Sequence, residues 1–250
     1  MKKLLLILLV AALGANASAQ GFKDALKKAT AKDENGKSAI GNVLQKGGKT
    51  ALSNDEIVAG LKQALEVGTG KATSKLSAAD GFLKDAAIKI LMPEEAKKVE
   101  KKLRAVGMGK QVDNAITSMN RAAEDAAKSA SPIFVAAIKE MSFADALSIL
   151  RGNDVAATSY LNSKTSAALR NAFAPVIEQS LQKVNATQYW NTVFTTYNKF
   201  SADKVETDLT AYVTEKALAG IFYGLGEEEK KIRKDPMART TDLLKKVFAN

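Results

Sequence analysis

Residues 206–229 carry apolar side chains almost all the way around a helix, and this stretch constrains the fold more than any other. At 100° per residue, Leu209, Tyr212, Val213, Ala217, Gly220, Tyr223 and Gly224 occupy one side. Leu218, Ile221, Phe222 and Leu225 cover the other. A helix that is apolar on every side has to be wrapped by other elements, so it is expected at the centre of the domain. Gly220 and Gly224 each weaken a helix by roughly 1 kcal/mol relative to alanine. Close approach of a neighbouring helix is the expected compensation. Lys216 falls on the first side, between Tyr212 and Gly220, with Glu227 farther along.

The elements that wrap this helix are themselves helical by spacing. Ser53-Asn54-Asp55-Glu56 is a capping box, and Ile57, Leu61 and Leu65 then recur every four residues. Helices are predicted over 54–67, 94–106, 110–129, 132–141, 143–151, 154–173, 176–184, 187–199, 206–229 and 238–248. The four prolines, at 93, 132, 175 and 236, sit at the joints between them. Ser142 is the expected cap of one helix and Gly152 its stop. Tyr189, Trp190, Val193, Phe194 and Tyr197 have helical rather than strand spacing. Ile88, Ile90 and Met92 are the exception, alternating like an extended segment ahead of Pro93. In 110–129, Val112, Ile116, Met119, Ala123 and Ala127 form one apolar stripe. Arg121 points away from it, and the leading reading of Arg121 and Glu124 is a solvated surface pair.

The N-terminus has a different character. Met1-Lys2-Lys3, an apolar run from Leu4 to Leu13 and Ala17-Ser18-Ala19 have the three parts of a secretory signal peptide. The run is too short to span a bilayer, which takes roughly 20 residues. Cleavage near Ala19 would leave a chain starting at Gln20, without a transmembrane segment. No cysteine follows to carry a lipid, since the chain has none. Residues 20–52 hold seven lysines, three acidic residues and few large apolar side chains. So little apolar surface cannot offset the entropy of ordering, and the stretch is read as a flexible basic leader. The expected organisation is a signal peptide at 1–19, a leader at 20–52 and one all-α, multi-helix domain at 53–250.

Zero cysteine and zero histidine remove the commonest general base and the thiol and imidazole metal ligands. Neither a catalytic residue, a metal site nor a cofactor is predicted. Gly68-Thr69-Gly70-Lys71 and Gly107-Met108-Gly109-Lys110 imitate phosphate loops. The first glycine of the motif is Leu65 in one and Arg104 in the other, and the hydroxyl position holds Ala72 or Gln111. Glu94-Glu95 and Glu227-Glu228-Glu229 are each followed by basic residues, the order of exposed helical pairs rather than of an active site. The basic residues are interleaved with acids and aromatics are sparse, so nucleic acid is not expected. An anionic envelope surface is the better match for the leader.

Several blocks in order carry a resemblance. They are Leu52-Ser-Asn-Asp-Glu-Ile-Val-Ala-Gly-Leu61, Met119-Asn-Arg-Ala-Ala-Glu124, Phe143-Ala-Asp-Ala-Leu-Ser-Ile-Leu150 and Tyr212-Val-Thr-Glu-Lys-Ala-Leu218. Glu227-Glu-Glu-Lys-Lys-Ile-Arg-Lys-Asp-Pro236 and Ala238-Arg-Thr-Thr-Asp-Leu-Leu-Lys-Lys-Val-Phe248 complete the set. Over about 53–250 the chain resembles the bacterial domain-of-unknown-function 4197 family. The resemblance implies an exported, mostly helical domain and brings no reaction or ligand with it.

Three functions stay open on these residues. The first is a non-enzymatic periplasmic domain binding a protein or a small anionic ligand. Its candidate ligand-binding residues are Tyr212, Lys216, Tyr223, Glu227, Asn120, Arg121 and Glu124. The second is a structural envelope protein. The third is a hydrolase or lyase drawing on Glu124, Glu215, Glu227 and Tyr212. For Lys216 the leading expectation is an internal ion pair with a carboxylate of another helix, because a buried ammonium needs a partner.

Overall fold

The computed structural model describes residues 53–200, 202, 204 and 208–235. These residues contain eight α-helices and one 3₁₀ turn, with no β-strand among them. The helices are α1 (Asn54–Ser77), α2 (Lys97–Ala105), α3 (Gly109–Ala127) and α4 (Ala130–Lys139). They continue with α5 (Phe143–Arg151), α6 (Ala156–Gln182), α7 (Ala186–Phe200) and α8 (Leu209–Lys234). The 3₁₀ turn, Glu94–Ala96, leads into α2. The all-α class read from the spacing is therefore correct. The signal peptide, the leader and the candidate helix at 238–248 lie outside the described residues.

The long helices α6 and α8 run together at the centre, with α3 on α6, and α1 on α8 and α4. Leu161, Leu169, Phe173 and Ile177 of α6 meet Val213, Ala217 and Ile221 of α8 in one core, all fully buried. Phe134 of α4 and Phe82 of the segment before α2 close it. A smaller cluster of Leu61, Met141, Ala146, Ile149 and Ala157 fills the space under α5.

Local signals held where a side chain satisfies the helix end. Ser53 and Glu56 make the reciprocal capping box, and Ser142 and Asp145 make a second one at α5. Gly152 caps α5 at its C-terminus. Two predicted breaks did not occur. The helix from 54 continues past 67, through Gly68 and Gly70 to Ser77, because Gly68 lies against Ile232 and its neighbours Thr69 and Ala72 are buried. The predicted helices 154–173 and 176–184 are one helix with Pro175 inside it. An interior proline removes one helical hydrogen bond and costs about 3 kcal/mol. Leu161, Thr165, Leu169, Phe173, Ile177 and Leu181 form a buried seam at every fourth position that continues across it. The burial on both sides outweighs the proline.

The central helix α8 has the buried character expected, with one correction. Its side at Glu215, Lys216, Ala219 and Tyr223 faces solvent. The two glycines do mark close approaches. A Cβ on Gly224 would lie 2.9 Å from Leu76 of α1, whereas one on Gly220 would lie 2.4 Å from the Phe82 ring. The second neighbour is an irregular segment rather than a helix. That segment, 78–93, has the alternation read from sequence, with Ile88, Ile90 and Met92 buried and Lys89 and Leu91 exposed. No strand among the described residues pairs with it.

Candidate functional site

An open groove of about 1030 Å³ lies between α8 and the segment 87–95. Tyr212, Lys216 and Tyr223 line one wall, and Lys89, Leu91, Glu94 and Glu95 are on the other. Helical geometry brings the three α8 residues together, since 212, 216, 219, 220 and 223 share one stripe. Tyr212 is held at both ends. Its ring stacks on Trp190 of α7 at 6.3 Å, and its hydroxyl donates to the Leu91 carbonyl at 2.8 Å. Burial, followed by the charges of Glu95 and Glu94, pushes the phenol up to about 12. It stays a neutral donor throughout the physiological range.

The Lys216 ammonium sits 5.7 Å from the centre of the Tyr212 ring. It is exposed and makes no ion pair among the described residues. The expected internal ion pair is thus not formed. The apolar stripe that suggested it lies at the rim of α8's buried surface, where the long stem can carry the charge into the groove. Tyr223 is 47% exposed on the same wall.

The remaining candidates lie elsewhere. Glu227 pairs with Lys230 at 2.8 Å on the outer surface, and that ammonium holds its carboxyl below the usual range. Glu215 pairs with Arg170 at 2.6 Å, which lowers its carboxyl in the same way. Neither shares the groove with Tyr212.

Asn120, Arg121 and Glu124 hold the groove's far wall in place from behind. The Asn120 carbonyl oxygen accepts from the Ile90 N–H at 2.8 Å, and its amide donates to the Ile90 and Ile116 carbonyls at 2.8 Å. One side chain thus substitutes for a neighbouring strand, which is how residues 90–92, just after a turn at 86–88, run without helical hydrogen bonds inside an all-helical protein. Glu124 is buried and accepts from the N–H groups of Phe82 and Leu83 at 3.1 and 3.2 Å. Arg121 donates to Glu124 and to Asp80, both at 2.6 Å. Lys84 and then Arg121 hold the Asp80 carboxyl low. The reading of Arg121 and Glu124 as a solvated surface pair is corrected here. Nothing local distinguishes an exposed i,i+3 pair from this one; the backbone groups of 82 and 83 make the difference.

A second buried carboxylate corrects the reading of Glu227-Glu228-Glu229 as exposed helical pairs, since Glu229 is buried. Glu229 accepts from the N–H groups of Ala157 and Thr158 at 2.9 and 2.8 Å and from the Thr158 hydroxyl at 2.8 Å, which caps α6. Arg233 bonds Glu229 and reaches the Ile149 carbonyl at the end of α5, both at 2.8 Å. Its sequence signal was the i,i+4 spacing in a run that also contains the exposed Glu227. A second groove, of about 590 Å³ and mostly apolar, lies between α3 and α7 and includes Met108, Met119, Val184 and Trp190. Among the described residues no group of acidic side chains is placed to hold a metal, and no helix is long and apolar enough to cross a membrane.

A family model described as a protein of unknown function, DUF4197, matches residues 51–249. No curated protein and no solved structure matches the chain.

Proposed function

The chain belongs to the DUF4197 family, and from that premise we propose that it is an exported, non-enzymatic domain that binds a partner through the groove beside α8. The observation that carries this reading is the Lys216 ammonium. It stands at the groove wall over the Tyr212 ring with no carboxylate of the described chain to neutralise it. A cation so placed can meet an anionic group of a partner, with Tyr212 and Tyr223 supplying flat contact area at small entropic cost. Export rests on the three-part signal peptide at 1–19.

The case against catalysis is one of placement. Glu124 is held by two backbone N–H groups and an arginine, Glu215 by Arg170 and Glu227 by Lys230. A pair of working carboxylates has to flank one substrate bond, roughly 5–10 Å apart.

The test is a titration of the ¹⁵N-labelled protein with glutamate, inorganic phosphate and an acidic peptide. Binding should move the amides of Tyr212, Lys216, Tyr223 and Leu91, and Lys216→Met should weaken it. If all three probes leave these amides in place, the groove reading fails. Intact mass of the exported product should show a chain beginning at Gln20; a full-length product would overturn export by this peptide.

A further inference from the structure

Resting on the groove reading above, we propose that the groove's ligand is an extended peptide, added as a strand to the open edge of residues 89–91, with an acidic side chain set against Lys216. The argument starts from the backbone. In an extended chain, the N–H and C=O of one residue point to one edge and those of the next residue to the other. Ile90 directs both groups at Asn120, each at 2.8 Å. The opposite edge therefore carries the Lys89 carbonyl and the Leu91 N–H, and these residues line the groove facing α8.

Neither group has a hydrogen-bond partner among the described residues. The Leu91 carbonyl does, since it accepts from the Tyr212 hydroxyl. That selects the register. A strand centred opposite Ile90, parallel or antiparallel, uses the Lys89 carbonyl and the Leu91 N–H, the two open groups, and leaves the tyrosine bond intact. A hydrogen-bonded antiparallel pair at Leu91 would need the carbonyl that Tyr212 already holds.

Open strand edges are usually short, covered or charged, because they pair readily with other chains. This edge is uncovered, and Leu91 beside it is 51% exposed. Side chains of an added strand would alternate between the protein and solvent, as in other complexes formed by strand addition. Charge sets their identity. Lys89, Lys204 and Lys216 line the groove against Glu94 and Glu95, and Lys89 and Lys216 have no ion pair among the described residues. A peptide carboxylate is favoured beside these two lysines.

The test pans a phage-displayed library of random octapeptides on the full chain, with Lys216→Glu as the counter-selection. The enriched peptide is then synthesised in three forms: unmodified, N-methylated at the residue whose N–H meets Lys89, and N-methylated at its neighbour. The proposal expects acidic peptides, slowed hydrogen exchange of the Leu91 amide, and at least about tenfold weaker binding for the first N-methylated form only. Leu91→Pro, which deletes the donor, should abolish binding, while Leu91→Ala retains it. Should the proline variant not fold, the N-methylated peptides still decide. Equal binding of both N-methylated forms overturns strand addition and leaves the groove reading standing. Absence of any enriched peptide, with glutamate or phosphate still moving Lys216, overturns the peptide and again spares that reading. If neither peptides nor anions perturb the groove, both fall.

Discussion

Two buried carboxylates, Glu124 in α3 and Glu229 in α8, do the same chemistry and hold different things. Each accepts from two consecutive backbone N–H groups far away in sequence, and each is paired with an arginine on its own helix. Glu229 ties three helices together, capping α6 while its arginine reaches the Ile149 carbonyl near the end of α5. Glu124 instead fixes an irregular segment that bears one wall of the groove. Their arginines differ as well: the Arg233 side chain is 12% exposed and that of Arg121 is 42% exposed. A similar pairing is thus sealed into the framework in one place and left partly hydrated in the other.

The comparison can be broken first at Glu229. Glu229→Ala should destabilise the protein by about 3–5 kcal/mol in chemical denaturation, because the N–H groups of Ala157 and Thr158 lose their acceptor and the nearly buried Arg233 loses its carboxylate. A loss below 1 kcal/mol would mean that the cap of α6 is supplied otherwise. Glu124→Ala should cost less, about 2–3 kcal/mol, since Arg121 can turn to water and the main loss is the two N–H groups of Phe82 and Leu83. Its distinctive mark would be faster hydrogen exchange confined to 82–91. Uniformly faster exchange would show that the segment is not a separate unit.

Smaller effects sharpen the contrast at the groove. Tyr212→Phe removes the bond to the Leu91 carbonyl and should cost about 1 kcal/mol. In the wild type, a phenol whose ionisation is raised from 10 to about 12 favours the folded state while it is neutral. That contribution is fully present below pH 10 and is lost as the pH rises towards 12. Ultraviolet titration should find a late tyrosine phase near pH 12, and Tyr212→Phe should remove it. Lys216→Met should be the mildest change, within about 0.5 kcal/mol of the wild type, because the ammonium is exposed. A loss of several kcal/mol would restore the buried ion pair that the structure does not contain.

How far the sequence could be read depended on where each signal lives. The caps at Ser53 and Ser142 and the stripe of Val112, Ile116, Met119, Ala123 and Ala127 were legible because all their partners lie within a few residues on one helix. Pro175 and Gly68 were misread as boundaries, since propensity carries no information about the buried seam that overrides it. Of the candidate site, Tyr212, Lys216 and Tyr223 were found because helical spacing alone sets them on one stripe. Asn120, Arg121 and Glu124 are engaged with the segment 80–90 and Glu227 with Lys230, and the Arg121–Glu124 and Glu227–Lys230 pairs have the same i,i+3 spacing.

The all-helical class and the central place of α8 were determined by periodicity, because an apolar surface of that width has to be covered whatever covers it. Which charges are buried, which backbone edge stays open and where Lys216 points were decided only by tertiary structure. Those outcomes depend on groups 30 to 121 residues apart, from Asn120 and Ile90 to Tyr212 and Leu91. No local pattern encodes a hydrogen bond whose two halves meet only when the helices pack.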